Sequence, residues 1–170
     1  TSEVIELAHA LYEHKALHTT HMRDEGERIA DSLRETFAIG AEAQIPVVIS
    51  HHKCSGAPSH GRSAETLTLI DQASKGQPIG LDAYPYTAGS TVLSAHGNLQ
   101  SERVLITLSE PFPEAAGREL SEIAAELGMS EQEAVKALSP GGGIFFMMDE
   151  EDVRRILAFP NTMIGSDGLP

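Results

Sequence analysis

The chain is poor in cysteine, in basic residues and in long apolar runs. Its one cysteine, Cys54, has no partner for an internal disulfide, a usage expected of a reducing cytoplasm. Lysine and arginine together number 12 against 25 aspartates and glutamates, for a net charge of −13. Nucleic acids and anionic membrane surfaces both demand clustered cations. The chain is therefore expected to bind neither, and the acidity serves solubility. No stretch approaches the roughly 18 consecutive apolar residues of a membrane-spanning helix. No basic segment leads into an apolar one at the start, as a secretory signal would. The rest is ordinary for a folded domain: 170 residues, 41% hydrophobic and 22% charged.

Residues 1–86 alternate between helical and strand-like patterns. Ser2 to His14 reads as a helix, with Val4, Ile5, Leu7, Ala8 and Leu11 on one face and Ser2 as N-cap. Ala16 to Met22 reads as a strand ending at His21. Asp24 can cap the next helix, placing Glu25 and Glu27 in its positive first turn. Pro46 ends that helix, and Val47 to Ser50 is a β-branched strand ending at His51. After a loop rich in Gly, Pro and Ser, Ser63 caps a helix that stops at Lys75-Gly76. Ile79 to Ala83 is a third strand, leading into Tyr84-Pro85-Tyr86. Alternation of this kind gives a parallel sheet with crossover helices, whose strand C-termini share one side.

Residues 87–160 break the alternation. They read as a mostly helical insertion, a lid or pocket wall, with a capping box at Ser130 to Glu133 and a helix capped by Asp149. Ala88 to Thr91 reads as loop, and Gly141 to Gly143 as the end of a helix. Residues 161–170 read as a last strand carrying Asp167. No helix follows to cover that strand, and the chain opens at Thr1. The sequence thus reads as part of a larger protein.

Three residues at strand ends carry the chemistry. His21 and His51 are one βα unit apart, and neighbouring parallel strands lie about 4.8 Å apart. Their imidazoles can converge on one zinc ion, which takes nitrogen at about 2.0–2.1 Å and, in catalytic sites, keeps a position open for water. Asp167, at a later strand end, can sit by the metal and take the water's proton. The bland account is that each is a hydrogen-bonded structural residue at a strand end. Lys53 can hold a substrate oxygen or be a solvated lysine. Tyr84 can donate to a developing oxyanion or simply pack. Phe145 and Met148 read as core, or as the wall of an apolar pocket. Cys54 reads as a free loop thiol rather than a zinc ligand, because no second cysteine stands at ligand spacing. His52 points away from His51 along the strand and reads as core.

Taken in order, Thr20-His21-Met22-Arg23-Asp24-Glu25-Gly26, Ser50-His51-His52-Lys53, Gly61-Arg62-Ser63, Leu81-Asp82-Ala83-Tyr84-Pro85-Tyr86 and Ile164-Gly165-Ser166-Asp167-Gly168-Leu169-Pro170 resemble the D-aminoacylases. These are N-acyl-D-amino-acid deacylases of the amidohydrolase superfamily. The resemblance spans nearly the whole chain. It implies an α/β fold, part of a distorted (β/α)8 TIM-like barrel of the metal-dependent hydrolase type, covering strands five to eight. It implies zinc bound by His21 and His51, with Asp167 near the metal as catalytic base. Lys53, Tyr84 and Ser90 fall where family members contact substrate. Leu99, Phe145 and Met148 fall where the pocket for the D-side chain is walled. The family's His-x-His pair, its metal-binding cysteine and its β-sandwich are not in this chain, which is expected to need the first half of the barrel for activity.

The reaction expected of the parent protein is zinc-dependent hydrolysis of a small N-acyl-D-amino acid to a D-amino acid and a carboxylate. The alternatives are a cyclic-amide hydrolase of the dihydroorotase or hydantoinase kind, and a non-catalytic ligand-binding fragment.

Overall fold

A computed structural model describes residues 1–95 and 100–168. The chain divides into two compact units. One is built from residues 1–54, 58–85 and 149–170, the other from residues 55–57 and 86–148.

In the first unit, α1 (Ser2–Glu13), β1 (His18–Thr20), α2 (Ile29–Ala43), β2 (Val47–Ile49), α3 (Ser63–Ser74) and β3 (Ile79–Ala83) alternate. All four strands of its sheet are parallel, in the order β1-β2-β3-β7, the last being Thr162–Ile164. Thr20 lies beside Ile49, Ile49 beside Leu81, and Ala83 beside Ile164. The strands therefore end on one rim, and the residues that follow them emerge side by side.

The strands are short and apolar because helices cover them. Val47, Ile49 and Leu81 are buried, and the core joins Ile49 and Leu81 to Ile29 and Leu33 of α2, Leu67 and Ile70 of α3, and Ile156. Helix α2 approaches β2 closely where it has no side chain. A Cβ on Gly40 would come within 2.7 Å of Val47 Cγ1 and 2.6 Å of Gln77 Oε1.

Asp152 links the helices of this unit. It is buried, and its carboxylate accepts from the backbone N–H of Gly61 at 2.6 Å and of Ser63 at 3.1 Å, from the Ser63 hydroxyl, and from Arg155 Nη1 at 3.2 Å. That network replaces the expected Ser63 cap. Arg62 occupies the cap position of α3, and the Ser63 hydroxyl is spent on Asp152.

The second unit departs from the sequence reading of a mostly helical insertion. It holds a three-stranded antiparallel sheet in the order β4-β6-β5, with β4 at Ala88–Val92, β5 at Arg103–Ser109 and β6 at Gly141–Phe146. Helices α4 (Leu120–Leu127) and α5 (Glu131–Leu138) accompany it, the latter opened by the expected Ser130–Glu133 capping box. The glycines of β6 hid the strand, because glycine is depleted in strands and reads as a turn. Here they permit close packing of a central strand. A Cβ on Gly141 would meet the carbonyl oxygens of Leu108 at 2.5 Å and Leu138 at 2.9 Å.

Helix α6 (Glu150–Leu157), capped by Asp149 as expected, belongs to the parallel-sheet unit and not to the insertion. The boundary expected at residue 160 falls instead at 148, because Val153 and Ile156 are buried and Ile156 joins the core of the first unit.

Candidate metal centre

The rim of the parallel sheet brings two imidazoles together. His21 leaves the end of β1, and His51 follows β2 by one residue. His21 Nδ1 and His51 Nε2 are 3.0 Å apart, with the rings set edge-on at 64° and their centroids 4.7 Å apart. His51 is buried while His21 is exposed.

His51 sits in a left-handed conformation, φ 40°, uncommon for a residue with a side chain. Asp82 of β3 holds it there. The Asp82 carboxylate accepts the His51 backbone N–H at 2.8 Å, and the Asp82 carbonyl accepts the N–H of His52 at 2.7 Å.

Behind His51 stands Glu25, which the sequence reading placed in the first turn of a helix. The helix starts later, at Ile29. Residues 21–28 form a loop in which Asp24 Oδ1 accepts from the backbone N–H of Gly26 at 2.9 Å and of Arg28 at 3.0 Å. This turn sends the Glu25 side chain back to the rim, where 11% of it is exposed. Glu25 Oε1 lies 3.0 Å from His51 Nδ1, and Lys53 Nζ donates to Oε1 at 2.8 Å and to Oε2 at 2.9 Å. An aspartate ahead of a glycine favours a local turn over a helix start.

Lys53 is buried, and its ammonium also lies 2.7 Å from His51 Nδ1 and 5.6 Å from the centre of the Tyr84 ring. It is thus held on Glu25 and His51, not solvated.

The charges shift one another. Burial works against protonation of His51, as does the Lys53 charge. The hydrogen bond to Glu25 and the charges of Glu25 and Asp167 outweigh them and raise its pKa. Burial pushes the Glu25 carboxyl up, but hydrogen bonds and charges from His51 and Lys53 bring it below the usual range. Burial raises the Tyr84 phenol, reinforced by the charges of Glu25 and Asp167.

Among the described residues, His21, Glu25 and His51 form a group whose ligand atoms all lie within 4.8 Å of one another. Asp167 stands outside that trio. It is exposed, with φ 51°, just past β7, where the Gly165 N–H donates to the Ala83 carbonyl at 3.0 Å. Its charge is felt at His51 and Tyr84.

Ser90, Phe145 and Met148 lie in the second unit. Ser90 is exposed on β4 opposite Ile144, whereas Phe145 and Met148 are buried. Leu99 lies outside the described residues. Cys54 is a core residue, and burial pushes its thiol up to about 12. His52 is buried with Nε2 2.9 Å from Thr66 Oγ1, and burial lowers its pKa to about 4.

No protein-family model matches the chain. It is 56% identical over all 170 residues to a D-aminoacylase of Alcaligenes xylosoxydans xylosoxydans, of which those residues make up 35%. The crystal structure of a D-aminoacylase, described as defining a novel subset of amidohydrolases, superposes with a TM-score of 0.94 at 56% identity, covering 99% of this chain and 36% of that one. An N-acyl-D-glutamate deacylase of Bordetella bronchiseptica, solved with zinc and a phosphonate inhibitor, superposes with a TM-score of 0.93 at 40% identity, covering 98% of this chain and 35% of that one.

Proposed function

We propose that the parent protein of this chain is a zinc-dependent hydrolase of N-acyl-D-amino acids of the D-aminoacylase family; the chain spans about a third of the length of the relatives it matches. The relatives' substrate class supports this, and so does the zinc in the structure of the N-acyl-D-glutamate deacylase. The four parallel strands would be strands five to eight of a (β/α)8 barrel, and the first half of the barrel would supply the remaining ligands.

One observation carries the proposal: the pair His21 Nδ1 and His51 Nε2, 3.0 Å apart at neighbouring strand ends. Two nitrogens about 2.05 Å from one tetrahedral zinc are separated by roughly 3.3 Å. The spacing found here is close to that, so these residues fit the ion. Zinc, when bound, acidifies a water and polarises an amide carbonyl. His21 and His51 would hold it.

The carboxylate of Asp167 would accept a proton from the attacking water and return it to the amide nitrogen as the C–N bond breaks. Water oxygen thereby ends in the carboxylate product, and the nitrogen leaves as the free amine of the D-amino acid. Tyr84, like any tyrosine, carries its O–H at neutral pH, and would donate to the oxygen that gains charge. Lys53, paired with Glu25 beside the Tyr84 ring, would contact the substrate as the family resemblance implies. The family resemblance gives Ser90, Leu99, Phe145 and Met148 to the substrate and its side chain.

The test is a substrate panel on the full-length enzyme. Release of amine from N-acetyl-D-amino acids, and not from their L-isomers or from cyclic ureides, is expected. Turnover of the cyclic ureides alone would replace this reading with the cyclic-amide one.

A further inference from the structure

Glu25 touches both His51 and Lys53, and it meets His51 on a different ring nitrogen from His21. The two ring nitrogens of an imidazole point their lone pairs from different edges. His21 meets the Nε2 edge at 3.0 Å, and Glu25 meets the Nδ1 edge at 3.0 Å. A carboxylate placed there acts on the ligand.

We infer that Glu25 is a positioning residue: it accepts the Nδ1 proton of His51 and holds Lys53, so that Nε2 is left bare toward the metal. The inference rests on the proposed zinc site.

A neutral imidazole carries one proton, and the partner of one nitrogen decides which. With Glu25 as acceptor the proton belongs on Nδ1, and Nε2 offers its lone pair. Lys53 pulls the other way. Its ammonium has only donors and lies 2.7 Å from the same Nδ1. A hydrogen bond from Lys53 into Nδ1 would move the imidazole proton to Nε2 and close that nitrogen to a metal. Glu25 prevents this twice over, by taking the Nδ1 proton and by drawing Lys53 onto both carboxylate oxygens at 2.8 and 2.9 Å. Lys53 has 6% of its side chain exposed and Glu25 11%, so water competes little for either.

The test is zinc affinity of the full-length enzyme, measured by competition with a chromophoric chelator. Glu25→Ala should weaken zinc about tenfold to a hundredfold, the range typical of lost carboxylate partners to ligand histidines. Adding Lys53→Met to Glu25→Ala should restore most of that loss by removing the competing donor. A merely structural role predicts a further loss. Glu25→Gln fills the same space and serves if the alanine variant does not fold. Its one carbonyl oxygen can accept from Nδ1, but its NH2 is a donor and it carries no charge to hold Lys53, so an intermediate loss is expected. Parent-like zinc affinity in Glu25→Gln, or no recovery in the double variant, overturns the inference. His51→Ala separates the two readings. If it too keeps zinc, the metal site itself is wrong, whereas zinc lost in His51→Ala and kept in Glu25→Gln removes only the role of Glu25.

Discussion

Asp82 accepts the backbone N–H of His51 through its side chain at 2.8 Å, and so fixes the left-handed turn from which the His51 imidazole reaches the rim. A hydrogen bond to a carboxylate is typically worth about 1.5–3 kcal/mol. Asp82→Ala should cost about 2 kcal/mol of stability and weaken zinc as His51 loses its orientation. Asp82→Asn, which keeps an acceptor, should lose less on both counts. Urea unfolding and chelator competition on the two variants would check this. Equal effects would show that the side-chain acceptor is not what holds the turn.

Asp167 packs against little, being exposed beyond the end of β7. Asp167→Ala should therefore leave the melting temperature almost unchanged. If its carboxylate carries the proton, kcat should fall about 10²–10⁴-fold, the usual contribution of a positioned acid–base group. Steady-state kinetics with N-acetyl-D-amino acids, alongside a thermal melt, would decide. A near-normal kcat sinks the mechanism.

His52 gives the protein an acid-sensitive core. Its pKa falls from 6.5 to about 4 on folding because burial disfavours the cation. Above pH 6.5 both states are neutral and the residue has no pH-dependent effect. Between pH 6.5 and 4 the unfolded chain binds a proton that the folded chain does not, so stability falls as pH falls, by about 3 kcal/mol in all. Denaturation midpoints of the parent and of His52→Gln between pH 7 and 4 would test this. The variant should show a shallower loss.

Cys54 should be silent as a thiol. Its side chain lies in the core with its pKa pushed up to about 12, and the thiolate is the reactive form. Alkylation of the native protein at pH 8, followed by peptide mass spectrometry, should leave Cys54 unlabelled until denaturant is added. Cys54→Ala should retain bound zinc. Loss of the metal in that variant would bring the cysteine back into the ligand set.

Gly141→Ala should destabilise the antiparallel sheet. Its new methyl would sit 2.5 Å from the Leu108 carbonyl oxygen, and overpacking against backbone costs about 1–3 kcal/mol. Gly128→Ala offers a contrast, for a Cβ there meets nothing within 4 Å and only the φ of +64° is strained. Chemical denaturation should rank Gly141→Ala as the more damaging of the two.

Much of the parallel-sheet unit was legible in the chain. Local periodicity marks α1, α2 and α3, and Pro46 with the β-branched Val47, Val48 and Ile49 marks β2, because side-chain burial repeats with the geometry of each element. His21, His51 and Asp167 stand out as polar residues closing small-residue or apolar runs, and parallel pairing places such ends on one rim. The second unit was less legible. A glycine-rich strand such as β6 carries no pattern of its own, and its identity comes from the neighbours β4 and β5 that it packs between. Glu25 was invisible for a related reason. Its sequence setting fits a helix N-terminus, and only the turn at Asp24, closed by hydrogen bonds to Gly26 and Arg28, sends it elsewhere. The sequence by itself marked His21, His51 and Asp167 as side chains chemically able to ligate and the alternation that makes the first sheet parallel, since those depend on side-chain chemistry and local repeat. Only the tertiary structure decided that a carboxylate and an ammonium compete for one nitrogen of His51. That contest arises between residues far apart in the chain, and it is strong because folding has excluded the water that would otherwise have screened it.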